Sequence, residues 1–218
     1  MSLPQPTREV KLCYVTDRRA LAGPAGEQIR LLLETIDRAA RAGVHWIQIR
    51  EKDLSGRVMS ELVREAVSRV PAGCRIIVND RLDVAWTTGA AGVHLGERSL
   101  PVAEAKGFLR ERPISAEFLV GASVHSVEAA RAAERLGADY IVFGPVYATP
   151  SKARFGEPQG IERLAEVCER ARVPVIAIGG ITAESAGECV HAGAAGIAAI
   201  RLFQEAKDLA ALVRQLRC

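Results

Sequence analysis

Val173-Pro174-Val175-Ile176-Ala177-Ile178-Gly179-Gly180-Ile181 is an apolar run, rich in β-branched residues and closed by two glycines. It reads as a strand buried on both faces, because nothing polar alternates through it. A helical pattern follows from about Thr182. Glycines at such a turn let backbone come close to a ligand. A helix start adds unpaired N–H groups and positive dipole, so Gly179-Gly180 is a candidate phosphate cradle. An ordinary strand-to-helix turn has the same composition, and the rest of the chain has to decide between them.

Further strands are expected at Lys11–Asp17, His45–Glu51, Arg75–Asp80, Gly92–Glu97, Leu119–His125, Tyr140–Tyr147 and Gly196–Phe203. Helical patterns separate them. One spans Glu27–Ala42 with Ile29, Leu32, Leu33, Ile36 and Ala40 on one face. Others cover Ser55–Val70 and Ser126–Leu136, and the last carries Leu209, Leu212, Val213 and Leu216. Eight strands alternating with eight helices predict an α/β fold, a single-domain (β/α)8 TIM barrel with a parallel eight-stranded barrel. Gly43, Gly89, Gly137 and Gly193 each stand between a helix and an even-numbered strand, at intervals of roughly two βα units. Glycine there suits a left-handed helix end. This repeat argues against an open doubly wound sheet. Loops are short except Ala148–Gly160, after the sixth strand.

With 218 residues, 49% of them hydrophobic, the chain has enough material for one core and too little for two comfortable ones. Residues 1–10 are expected to be a flexible arm and 11–218 the barrel. A net charge of +3, with Lys and Arg scattered, does not suggest a nucleic-acid binder. No apolar run is long enough to span a membrane, and Met1–Glu9 lacks a signal-peptide core. Cys13, Cys74, Cys168, Cys189 and Cys218 form no C-x-x-C pair and read as reduced thiols of a cytoplasmic protein. Oligomeric state has no sequence signal, and a homodimer stays open.

In a barrel of this kind, chemistry gathers at the C-terminal ends of the strands. Those ends carry Gln48, Arg50 and Lys52 on one face of the second strand, then Asn79-Asp80, His94 to Glu97, Ser123 and His125, Thr149 to Lys152, Gly179-Gly180 and Ile200-Arg201. Cations facing a barrel interior need an anion, because buried charge without a partner is costly. A guanidinium suits bidentate phosphate contact and an ammonium adds a point charge. The competing reading is a solvated strand end pairing with Glu51 and Asp53. Asp80 fits a magnesium ion shared with ligand phosphates, or a helix N-cap. His125 titrates near neutrality and suits acid–base work, though a loop histidine reads alike. His45, His94 and His191 show no metal-ligand spacing with cysteine and read as structural.

Six segments carry a resemblance: QIREKDLSG (48–56), VNDRLDVA (78–85), GVHLGERSLP (92–101), GASVHS (121–126), FGPVYATPSK (143–152) and VPVIAIGGI (173–181). In this order they resemble the thiamine-phosphate synthase and thiazole tautomerase superfamily along nearly the whole chain. The resemblance implies a barrel that joins an aminopyrimidine diphosphate to a thiazole phosphate and releases pyrophosphate with Mg²⁺. It implies that Gln48, Arg50, Lys52, Asn79, Ser123 and Lys152 hold the pyrimidine diphosphate. Thr149, Ser151, Gly179, Gly180, Ile200 and Arg201 would surround the thiazole phosphate, and Asp80 would bind the metal. Arg50, Lys52, Lys152 and His125 would carry the catalysis. Two positions depart from the synthase pattern. Ser99 stands where a second magnesium aspartate is usual, which raises Glu97 as a substitute carboxylate. Arg201 stands where a phosphate-binding serine is usual. The loss at Ser99, with His125, leaves a thiazole tautomerase as the alternative. A binding-only barrel is a third.

Overall fold

The structure, a computed structural model, describes residues 9–115, 117–149 and 157–217. Eight parallel strands close into a barrel in sequence order: β1 (Lys11–Val15), β2 (Trp46–Ile49), β3 (Arg75–Asn79), β4 (Gly92–Leu95), β5 (Leu119–Val124), β6 (Tyr140–Phe143), β7 (Val175–Ile178) and β8 (Gly196–Ala199). β8 pairs back onto β1, with Leu12 beside Ile197. The helices that return the chain are α1 (Gln28–Arg41), α2 (Gly56–Arg69), α3 (Leu82–Thr87), α4 (Val102–Arg110), α5 (Val127–Arg135), α6 (Gly160–Arg170) and α7 (Ala186–His191). After β8 come α8 (Arg201–Gln204) and α9 (Leu209–Arg217). This is the expected (β/α)8 barrel.

Two apolar layers hold it together. The larger lies between sheet and helices and includes Leu12, Tyr14, Leu32, Ile36, Ile47, Ile49 and Phe143. A smaller one fills the barrel with Cys13, Val15, Tyr140, Val142, Ile176 and Ala198, packed against Trp46, Leu119, Ile178 and Ile200. Alternation along each strand therefore assigns odd and even positions to opposite layers. On β2 the inward side is Trp46, Gln48 and then Arg50. On β3 it includes Asn79, on β4 His94 and on β5 Ser123.

The repeated glycines end helices as expected. Gly43, Gly89, Gly137 and Gly193 have φ of 98°, 75°, 92° and 100°. At three of them the next amide reaches back five residues, Val44 to Ala39, Ala138 to Ala133 and Ala194 to Cys189. That closes the helix carbonyls in a Schellman turn. Ser55 and Ser126 cap α2 and α5 by accepting from Val58 N and Ala129 N.

Several boundaries differ from expectation. β6 stops at Phe143, and Pro145, two residues on, has no N–H to donate to a ladder. β8 stops at Ala199, and Leu202 and Phe203 belong to α8, where Phe203 packs on Tyr14. α7 begins at Ala186 rather than near Thr182. The intervening residues form a turn in which Thr182 N donates to Ser185 Oγ at 3.0 Å.

Candidate active site

At the C-terminal end of the barrel a polar chain crosses from β2 to β4. Gln48 Nε2 donates to Asn79 Oδ1 at 2.8 Å, and Asn79 Nδ2 donates to Asp80 Oδ2 at 2.6 Å. Lys52 Nζ lies 3.4 Å from the same Asp80 oxygen. On its other side, Asp80 Oδ1 accepts from the Gly96 amide at 3.2 Å and from the Ser99 hydroxyl. Burial opposes the charge on Asp80. The Ser99 hydroxyl, the Gly96 amide and Lys52 outweigh it and hold the carboxyl below its usual range. Asp80 also has a left-handed backbone, φ 62°, an uncommon conformation that Asp tolerates better than most side chains. Its amide donates to the His94 carbonyl at 2.8 Å, tying the turn to β4.

Arg50 sits one step beyond β2, half-buried, on the side shared by Gln48. Its amide donates to Thr16 Oγ1 at 2.9 Å. Its guanidinium has no carboxylate partner among the described residues. The two nearest acidic residues in sequence are taken. Glu51 is buried and accepts from Thr16 Oγ1 at 2.6 Å and from Arg18 Nη1 at 2.9 Å. Asp53 pairs with Arg18 and, at 2.8 Å, with Arg19. The competing account, in which Glu51 and Asp53 neutralise the second strand's cations, therefore fails for Arg50. Lys52 is engaged with Asp80 instead.

His94 and Ser123 lie on adjacent strands, and His94 Nε2 is 2.8 Å from Ser123 Oγ. The imidazole is 3% exposed, and its Nδ1 is buried without a hydrogen-bond partner among the described residues. Burial, assisted by Arg50 and opposed by Asp80, pushes its pKa down to about 4. By sequence His94 reads as structural, since it shows no metal-ligand spacing with cysteine. The signal available was its alternation with Gly92, which puts it inward, level with Asn79.

His125, one residue past β5, faces the Gly144 carbonyl with Nδ1 and Glu97 Oε1 with Nε2 at 3.6 Å. Glu97 is thus directed at His125, and Ser99 is the side chain from the β4 tip that touches Asp80. Across the barrel, Gly179 and Gly180 have φ of 103° and 66°. A side chain on Gly180 would meet the Ala148 carbonyl at 2.5 Å, and Tyr147 N donates to Gly179 O at 2.9 Å. The β7 turn and the loop after β6 are therefore in direct contact, which brings the segment leading to Thr149 onto the glycine turn. Ile200 belongs to the interior layer and Arg201 is exposed at the start of α8. Ser151 and Lys152 lie outside the described residues.

A magnesium ion prefers oxygen ligands and commonly takes one or two carboxylates with the remainder from water and substrate phosphates. Among the described residues no cluster of three or more His, Cys, Asp and Glu could form a cage by itself. Asp80 offers one carboxylate, with Oδ1 held by Gly96 and Ser99, and Oδ2 accepting from Asn79 at 2.6 Å with Lys52 at 3.4 Å. That donor set fits a magnesium shared with a bound phosphate, and does not fit a dedicated protein site. Two hollows lie away from this mouth. One of about 390 Å³ lies between α2 and α3, and one of about 300 Å³ lies at the N-terminal end of the barrel. Arg81 in the first pairs with Asp83, and Lys11 and Arg75 in the second pair with Glu9 and Glu117.

The thiamine monophosphate synthase family model matches residues 12–203. A thiamine-phosphate synthase of Chlorobium luteolum is 44% identical over 209 residues, covering 94% of this chain and 90% of that protein. One from Syntrophomonas wolfei is 36% identical over 210 residues, 96% of this chain and 95% of that one. The solved structure of thiamine phosphate pyrophosphorylase from Pyrococcus furiosus superimposes with a TM-score of 0.80 at 34% identity, covering 96% and 95% of the two chains. With the match running through every strand from β1 to β8, the chain belongs to the thiamine monophosphate synthase family.

Proposed function

We propose that this chain is a thiamine-phosphate synthase, joining an aminopyrimidine diphosphate to a thiazole phosphate. The observation that carries this is Arg50: a half-buried guanidinium on the interior face, with its neighbouring carboxylates claimed by Arg18. A cation in that position is matched by an anion from outside the described residues. The names borne by the relatives favour the synthase over the tautomerase.

In the reaction the bond between the pyrimidine's exocyclic carbon and the diphosphate oxygen breaks, and its electron pair leaves with the diphosphate. The thiazole ring nitrogen then gives its lone pair to that carbon, making the new C–N bond. Arg50 and Lys52 stabilise the departing charge, with Lys152 in the same role. Gln48 spends its amide donor on Asn79, which leaves its carbonyl oxygen to accept from the pyrimidine amino group. The glycine turn at Gly179-Gly180, with Thr149 and Ser151, receives the thiazole phosphate through backbone amides and hydroxyls. Arg201 supplies charge there in place of a hydroxyl. Bound Mg²⁺ would supply a hard divalent charge to the diphosphate, and Asp80 would hold it. We assign the enzyme to the cytoplasm. The supporting feature is its thiols: Cys13, Cys74, Cys168 and Cys189 are free.

The test is incubation of the purified protein with both phosphorylated substrates and Mg²⁺. Thiamine phosphate and pyrophosphate should appear in equal amounts. Absence of both products overturns the proposal.

A further inference from the structure

Three aromatic rings lie together in the lower barrel. Trp46 and Tyr140 have ring centroids 4.7 Å apart, and Tyr140 and His94 have centroids 5.7 Å apart at 31°. Gly121 makes this possible. It pairs with both His94 on β4 and Tyr140 on β6, and a side chain there would run into the Tyr140 ring. The His94 imidazole is therefore pinned by its neighbours. One nitrogen reaches Ser123 Oγ, and the other is buried without a hydrogen-bond partner among the described residues.

A neutral imidazole carries one N–H. If the hydrogen were on Nδ1, a buried donor would be left unsatisfied, which native interiors rarely tolerate. A bare acceptor is tolerated more often. The hydrogen thus belongs on Nε2, and His94 donates to Ser123 Oγ. A hydroxyl that is already accepting is left with its own O–H to donate. Ser123 is only partly buried, so that O–H can turn toward the mouth of the barrel.

We propose that His94 is a positioning residue that fixes Ser123 as a hydrogen-bond donor toward an acceptor atom of the bound pyrimidine diphosphate. This rests on the synthase reading, in which Ser123 contacts that substrate. Acting through Ser123, His94 favours substrates that present an acceptor at that point, because the opposite tautomer would take up the hydroxyl hydrogen on the imidazole.

The test has two arms. First, ¹⁵N NMR of the wild-type imidazole reports the tautomer without any turnover. Protonated Nε2 with bare Nδ1 is expected, and the opposite tautomer overturns the proposal. Second, steady-state kinetics compare His94→Leu, His94→Gln, Ser123→Ala and His94→Leu/Ser123→Ala. His94→Leu should raise KM for the pyrimidine diphosphate about tenfold, the effect of one neutral hydrogen bond, with little change for the thiazole phosphate. His94→Gln keeps an amide donor and should recover most of the loss. The double variant should be no worse than Ser123→Ala, since both changes remove one interaction. Additive losses, or equal losses for both substrates, would overturn it. Should the wild type make no thiamine phosphate, the synthase reading fails, and the NMR arm still decides whether His94 donates to Ser123.

Discussion

His94 shows how a single side chain can be ordinary by sequence and unusual by surroundings. Its pKa is pushed from 6.5 down to about 4, chiefly by burial. The sign of the stability effect follows. Above pH 6.5 the ring is neutral both folded and unfolded, and nothing is lost. Between 6.5 and 4 the unfolded imidazole binds a proton that the folded one refuses, so stability falls as pH falls, by at most about 1.4 kcal/mol per pH unit. Below 4 this group adds no further loss. Urea midpoints for wild type and His94→Gln from pH 7 to 4.5 check this: the wild type should lose more over that window. Equal slopes would contradict it. Arg50 and Asp80 were legible before any coordinates, because a charged residue at a barrel strand tip is a departure that sequence displays openly. The His94–Ser123 contact was not, since its two members are on different strands and meet only when β4 and β5 align.

At the level of elements, the glycines before β2, β4, β6 and β8 carry the repeat. They were legible because a left-handed helix end has few other solutions. Two of them separate backbone strain from crowding. A side chain at Gly89 meets nothing within 4 Å, whereas one at Gly193 lies 2.9 Å from Cys168 Cβ. Gly89→Ala should therefore cost only its left-handed conformation, about 1 kcal/mol, and Gly193→Ala measurably more. Denaturant unfolding of the two variants tests the ordering, and equal losses would contradict it. The strand ends were less legible. Leu202-Phe203 resumes the apolar pattern of β8 after Arg201 in sequence, whereas in the fold it lies in α8, with Phe203 packed against Tyr14. The delayed start of α7 depends on the Thr182–Ser185 turn, a local side-chain bond that competes with the helix.

Across the whole molecule, closure of the barrel turns separated motifs into one mouth. Neutralised charge lies outside it: Arg18 ties down Glu51 and Asp53, and Lys106 pairs with Asp139 at 2.6 Å near the opposite end of the strands. The interior tips keep a guanidinium with no carboxylate partner among the described residues, a tethered carboxylate and a polar chain from Gln48 to Asp80. The fold positions these groups before any ligand arrives, so little reorganisation is needed when charge develops. The most direct measurement is calorimetric titration of the pyrimidine diphosphate, with Mg²⁺, into wild type and Arg50→Ala, with thermal unfolding of both. Affinity should drop by about a hundredfold or more, as for loss of a charge-assisted bidentate contact, while the unfolding temperature stays unchanged. Equal affinity in a folded Arg50→Ala protein would contradict the account.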